Sequence, residues 1–186
     1  APALANRIDR NTGGIVIAAK NADSLRVLNA KIKTRELEKY YLCLLHGKPK
    51  KDCDILHDYL IKNEAQNKVK VFSKQVDGSK EIITKYEILD FNGKYSLAEY
   101  TLLEMELETG RTHQIRVHMA YIGHPLGGDT KYGKNRKAPD NIKYQALYSY
   151  KLKFSFDTDA GILNYLNGKE FSVKEVWFAK NKHISI

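Results

Sequence analysis

The chain has 186 residues, with 31 Lys and Arg against 22 Asp and Glu, a formal net charge of +9 and a pI near 9.4. Hydrophobic residues make up 42% and are spread along the length, which supports one domain with its own core and excludes disorder; no apolar run approaches the ~20 residues of a membrane span. Cys43 and Cys53 are too few for a disulfide framework, and with no charged-apolar-small leader the expected compartment is the reducing cytoplasm.

In chain order, Gly14 to Lys20 reads as a short buried strand. Asn21 or Asp23 caps a helix over 23–35, with Leu25, Leu28 and Ile32 on its apolar side. Lys39 to His46 is a second strand, stopped by Gly47 and Pro49, and 48–54 is a polar turn. Residues 55–72 have no clean period and read as short strands. Ile82–Leu89 and Ser96–Glu108 pair around Asn92-Gly93, and the second alternates Leu103, Met105 and Leu107 with Glu104, Glu106 and Glu108, as a half-buried antiparallel strand does. Thr112 to Ile122 forms a helix with Ile115, Met119 and Ile122 inward and Gly123 as its stop. A polar loop runs to about 142, Ala146 to Phe156 alternates as a longer strand, and Phe171 to Phe178 is the last strand. These elements predict an α+β domain with a mixed, largely antiparallel sheet and few helices.

The basic excess is local. Residues 31–51 hold Lys31, Lys33, Arg35, Lys39, Lys48, Lys50 and Lys51 against Glu36 and Glu38. Residues 131–153 hold Lys131, Lys134, Arg136, Lys137, Lys143, Lys151 and Lys153 against Asp140, with Tyr132, Tyr144, Tyr148 and Tyr150 among them. Folded onto one face, the two segments make a track for phosphates; left apart, they are lysine-rich solvated loops.

No phosphate-binding glycine loop, dinucleotide fingerprint, H-E-x-x-H or Cys-x-x-Cys occurs, so no metal or cofactor is expected. His113 and His118 are spaced poorly for one metal, and His124, before Pro125, reads as structural. Two segments stand apart. In Asn6-Arg7-Ile8-Asp9-Arg10-Asn11-Thr12-Gly13-Gly14, a carboxylate lies between two arginines in a tight polar loop, which keeps it ionised. The bland reading is an ordinary turn before a strand. In Glu108 to Met119, Arg111 and Arg116 sit at the start of a helix, where positive charge opposes the macrodipole. An anion explains that placement, either a phosphate or the Asp9 carboxylate.

These segments resemble the RluA family of RNA pseudouridine synthases. N-R-I-D-R-N-T-G-G is similar to that family's H-R-L-D-x-x-T-S-G loop, and T-G-R-T-H-Q-I-R-V-H-M-A-Y-I-G-H-P-L-G-G-D-T-K-Y-G resembles its third motif almost throughout. K-Y-Y-L-C-L-L-H-G resembles the second, K-x-Y-x-A-L-V-x-G. The likeness runs from about Pro2 to Phe156, and it departs at Asn6, Ile8, Gly13 and Tyr148, where His, Leu, Ser and His are usual. It implies isomerisation of a specific uridine to pseudouridine in structured RNA, ribosomal RNA first and transfer RNA second, with no cofactor. Asp9 would be the essential carboxylate, Arg116 its partner, and Tyr41 the ring that stacks on the uracil and takes the C5 proton. The target nucleotide would be flipped out, with Arg7 filling its place; Arg10, Lys39, Arg111 and His113 would contact RNA, and Ile115 would pack beside the site.

By the same resemblance, residues 1–186 are a catalytic domain that lacks its N-terminal strands and any upstream RNA-binding module, acting as a monomer away from membranes. The competing reading is a catalytically idle RNA-binding or ribosome-assembly protein of the same fold, supported only by the Asn6 and Tyr148 departures. A glycosidase needs a second carboxylate within reach of Asp9, and the motifs offer none.

Overall fold

The strand Leu37–His46 organises the molecule, because its run K-Y-Y-L-C-L-L-H is apolar on both faces and therefore has to be covered twice. In the computed structural model, described over residues 1–65, 68–91, 99–133, 136, 138 and 142–179, ten strands and two α-helices follow in the order β1 (Ala3–Leu4), β2 (Gly13–Gly14), β3 (Ala18–Ala19), α1 (Ala22–Lys33), β4 (Leu37–His46), β5 (Cys53–Asn63), β6 (Lys68–Phe72), β7 (Lys80–Phe91), β8 (Tyr100–Leu107), α2 (Gln114–Tyr121), β9 (Leu147–Phe154) and β10 (Glu170–Ser172). The main sheet has the order β10-β9-β4-β8-β7-β5-β6 and is antiparallel throughout, except that β2 lies parallel beside the start of β9. The α+β architecture with a mixed, largely antiparallel sheet is as the patterning predicts.

One face of β4 presents Tyr41, Cys43 and Leu45, which pack with Leu103, Met105 and Leu107 of β8 under Ile115 and Met119 of α2. The opposite face presents Leu42 and Leu44, covered with Leu102 and Tyr150 by Val176 and Phe178 from the C-terminal segment. The half-buried reading of β8 thus holds for its second half only; at Thr101, Leu102 and Leu103 both faces are closed.

Other expectations are revised in ways that have physical causes. Gly14 to Lys20 is not one buried strand. Its backbone changes partner, with Ile15 N–H donating to the Ser149 carbonyl and Ile17 N–H to the Asn6 side chain, so only β2 and β3 remain as two-residue pieces. In place of several short strands, β5 runs from Cys53 to Asn63 and its end pairs antiparallel with β6. The final strand stops at Ser172. Val176 and Phe178 keep the apolar alternation but sit in a turn, and they are buried without a ladder. Helix α2 starts at Gln114 because His113, at φ 54°, is in the left-handed region. The Asn92-Gly93 turn lies outside the described residues, although β7 and β8 pair as expected.

Helix α1 is capped as its sequence demands. The Asn21 side chain accepts from Ser24 N–H at 2.8 Å, an arrangement that contributes about 1 kcal/mol. It ends in a Schellman turn in which Glu36 N–H reaches the Lys31 carbonyl and Arg35, at φ 61°, occupies the position usually given to glycine. That turn delivers Glu36 to a buried cluster. Lys31 Nζ lies 2.6 Å from Glu36 Oε2 and 2.7 Å from the Thr158 carbonyl, and the Glu36 carboxylate also accepts from the backbone N–H groups of Asp157 and Thr158. The cluster locks α1, the start of β4 and the segment after β9 together.

The Lys31 ammonium, with the Thr34 hydroxyl, holds the Glu36 carboxyl down from 4.5 to about 2. A carboxyl depressed by folding contributes stability that is present above pH 4.5 and is lost as the pH falls toward 2. Lys31→Met should lower the urea midpoint at neutral pH and flatten its decline between those two pH values. An unchanged acid limb would show that the cluster does not act this way.

Candidate active site

Asp9 owes its position to backbone bonds that pin the loop on either side of it. Thr12 N–H donates to the Asp9 carbonyl at 3.0 Å across a turn whose third residue, Asn11, takes φ 65°, a conformation asparagine tolerates. Buried Gln145 donates through Nε2 to the Arg10 carbonyl at 2.6 Å, Ala5 N–H donates to the Ile17 carbonyl, and Asn6 Oδ1 accepts from Ile17 N–H at 2.7 Å. Asn6 therefore anchors the loop from outside. Gly14 has φ 120°, and a Cβ there would collide with the Ser149 carbonyl, so the loop enters the sheet only as glycine.

The second wall is the turn Glu108–His113. Gln114 is its buried hub: Oε1 accepts from Thr109 Oγ1 (2.8 Å) and Arg111 N–H (3.0 Å), while Nε2 donates to the Ile83 carbonyl and Thr84 Oγ1 on β7. One turn into α2, fully buried His118 bridges Thr84 and Asp58, each at 2.9 Å. Burial draws its pKa down, against the pull of Asp58. Its role is to fix α2 on the sheet.

Arg116 projects from this anchored helix to a point between two carboxylates. Its Nη1 lies 3.6 Å from Asp9 Oδ2. Nearer still is Asp129, which receives Nε at 2.7 Å and Nη2 at 3.0 Å as a two-pronged pair. The Asp129 side chain is 0% exposed, against 22% for Asp9. Burial opposes both charges of the inner pair, but the hydrogen bonds prevail, raising Arg116 and lowering Asp129. Asp129 Oδ1 also accepts the N–H groups of Lys131 and Tyr132, and the Arg116 guanidinium lies 5.3 Å from the Tyr132 ring. The expected Arg116–Asp9 pair is present, but it is the looser of the two. Asp129 was missed because no spacing rule joins a helix residue to a loop residue thirteen positions on. The signal was there nonetheless: arginines opposing a macrodipole need an anion, and the third motif contains one aspartate.

A cavity of about 550 Å3 opens beside Asp9, within the range of roughly 300–1,000 Å3 usual for small-molecule sites. Arg7, Asp9, Lys39, Tyr41, Arg111 and Ile115 all line it. Tyr41 is buried, next to an irregularity in the β4–β9 pairing that aims it at the cavity. Burial raises its phenol pKa, with the Asp9 charge adding and a hydrogen bond from Ser149 opposing. Burial also lowers the pKa of Lys39, whose amino group lies against Gly110. Three expected residues lie off the lining. Arg116 is behind Asp9, the exposed Arg10 is held by its carbonyl, and His113 turns away to Tyr132, with 2.8 Å between Nδ1 and the phenol oxygen. Burial lowers the His113 pKa and the Asp9 charge partly restores it.

Of the two readings of the basic segments, a shared track or separate solvated loops, the ion pairs favour the second for several lysines. Lys48 pairs with Asp52 and Lys51 with Asp54, each at 3.0 Å, in a turn about 20 Å along β4 from Tyr41. Lys151 and Lys153 meet Glu104 and Glu38, so their charge is compensated. Near the cavity are Lys33, Arg35, Lys39 and Arg111.

A loop-borne carboxylate, a bidentate-anchored arginine behind it and a buried tyrosine thus meet at one cavity, and the family model for RNA pseudouridylate synthase matches residues 1–121. The chain belongs to that family. Within it, the chain is 39% identical over 133 residues to ribosomal large subunit pseudouridine synthase C of Vibrio cholerae, covering 72% of this chain and 39% of that protein. It is 34% identical to ribosomal large subunit pseudouridine synthase D of Borreliella burgdorferi, covering 82% and 44% respectively. The chain thus spans less than half the length of both relatives. Its fold is similar to that of human RNA pseudouridylate synthase domain containing 1, with a TM-score of 0.77 at 23% identity, covering 94% of this chain and 69% of that one.

Two departures from the family pattern meet in space. Gly13 pairs with Tyr148 across β2 and β9, and a Cβ on Gly13 would fall 2.5 Å from Tyr148 Cε2. The larger ring is accommodated by the smaller neighbour. Gly13→Ala should cost roughly 1–3 kcal/mol by urea unfolding, and much less in a Tyr148→Ala background. Costs that simply add would contradict this coupling.

Proposed function

We propose that the protein converts a uridine in RNA to pseudouridine, with Asp9 as the catalytic carboxylate. The observation that carries this reading is the partly exposed Asp9 at the edge of a cavity, faced by Arg116 at 3.6 Å and sharing the space with Tyr41. In the reaction the N1–C1′ bond breaks, the uracil turns, C5 joins C1′, the C5 proton leaves and N1 gains one. Whether Asp9 attacks C1′, attacks the base or removes a ribose proton, one carboxylate does the work, and Arg116 Nη1 faces it at 3.6 Å.

Tyr41 meets the uracil as a neutral ring, since burial holds its proton in place. It stacks, and it takes up the C5 proton only as its own passes on. Ile115 closes the apolar side. A base within a stem cannot enter such a cavity, so the nucleotide is flipped out, which costs a few kcal/mol of unstacking. Exposed Arg7, at the rim, occupies the vacated place, while Lys39 and Arg111 serve the RNA around it; Arg10 and His113, off the lining, have no such role in this reading. The relatives' names point to ribosomal RNA as the substrate, and the cytoplasm is the compartment that goes with this reading. Against the idle-protein reading, the Asn6 and Tyr148 departures both have structural uses: Asn6 accepts from Ile17 N–H, and the Tyr148 ring packs over Gly13.

The test uses the full-length protein and RNA carrying tritium at uridine C5. Asp9→Asn should reduce tritium release by about 10²–10⁴-fold or more while RNA binding is retained; equal release by both forms would refute the role of Asp9. Lys39→Met and Arg111→Met should each weaken RNA binding and reduce the salt slope by about one. An unchanged slope would remove that residue from the footprint.

A further inference from the structure

Among the described residues, Arg116 is the one cation placed between Asp9 and a second carboxylate, and the two contacts are unequal. Asp129 takes Nε and Nη2 at 2.7 and 3.0 Å, leaving Nη1 to Asp9 at 3.6 Å. A guanidinium is a planar fork that can satisfy a carboxylate with two parallel bonds. Were it free to turn, its best partner would be the nearest unpaired carboxylate, and Asp9 would then be clamped from two sides. Asp129 prevents this by occupying the better prongs from a fully buried position.

Asp129 is itself held. Its Oδ1 accepts the N–H groups of Lys131 and Tyr132, its carbonyl accepts Gly133 N–H at 2.8 Å, and its N–H donates to the Leu126 carbonyl. The Tyr132 ring against the guanidinium, with its hydroxyl on His113, closes the remaining side. The guanidinium therefore has one orientation, fixed by a residue that lines no part of the cavity.

We infer that Asp129 is a positioning residue for the reaction: it holds Arg116 in the orientation that offers a single Nη1 to Asp9, so that the catalytic carboxylate is not locked in a bidentate pair. This rests on the reading of Asp9 given above. It makes a prediction that a merely structural role does not, because an effect transmitted only through Arg116 has to vanish once Arg116 is gone.

The experiment is a double-mutant cycle in the full-length protein with Arg116→Met and Asp129→Asn, read by kcat and KM for tritium release from C5-labelled RNA and by the thermal midpoint. Asp129→Asn retains an acceptor for the two backbone N–H groups while removing the charge. It should lower kcat by about 10- to 100-fold with KM changed by less than about threefold. In the Arg116→Met background the same change should cost no further kcat. It should also recover much of the thermal midpoint lost by Arg116→Met, since the uncompensated buried carboxylate is removed. Losses in kcat that multiply in the double variant, or an Asp129→Asn enzyme of wild-type kcat, would overturn the inference. If the wild-type protein releases no tritium, the reading of Asp9 fails and this role fails with it; the thermal midpoints still show whether the two residues are coupled, so the two failures are told apart.

Discussion

The guanidinium of Arg116 is the interaction around which the site is built. It is buried, so its charge has to be matched, and it is matched twice: tightly by Asp129 and loosely by Asp9. Much of the surrounding structure serves to put this one group in place. Gln114 and His118 fasten α2 to β7 and β5 through buried hydrogen bonds. The Ser149 backbone receives the Asp9 loop through Gly14 and Ile15. Central strand β4, flanked by β8 and β9, carries Tyr41 to the same place. The carboxylate, the arginine and the tyrosine come from three separate stretches of chain, and each is supported by polar groups buried beneath it.

How much of this could be read in the sequence depended on whether one periodicity served one environment. The run at 39–46 was legible because it is apolar on both faces and bounded by Gly47 and Pro49. Helix α1 was legible from Asn21 and its apolar side. The β5–β6 pair was not, because the burial of β5 alternates only in part and its exposed side includes Ile55. The segment 171–178 misled for the opposite reason. It alternates like a strand because Phe178 and Val176 fill the core, but the backbone of β10 finds a ladder partner on β9 for three residues only. Buried side chains can alternate without a sheet.

At the site, the motifs located Asp9, Tyr41, Arg116 and the cavity-lining Arg7, Lys39, Arg111 and Ile115. His113 was named from the same motifs but faces Tyr132, and Arg10 is exposed off the cavity lining, since adjacency in a motif does not decide which way a side chain turns. Asp129 escaped because its contact is tertiary. The two departures at Gly13 and Tyr148, unrelated on paper, are neighbours across a ladder, and each makes sense of the other. Net charge was the least informative quantity: several lysines of the two basic windows are paired with nearby carboxylates, and only a few of the cations line the cavity.

The central claim is that Asp9 in this setting rearranges a uridine in RNA. The most direct measurement is pseudouridine mapping of cellular RNA from cells that carry the gene, lack it, or carry the Asp9→Asn form in its place. The account predicts that at least one pseudouridine disappears on deletion, returns with the wild-type gene and stays absent with Asp9→Asn. A map unchanged by deletion, or one restored by Asp9→Asn, would contradict it.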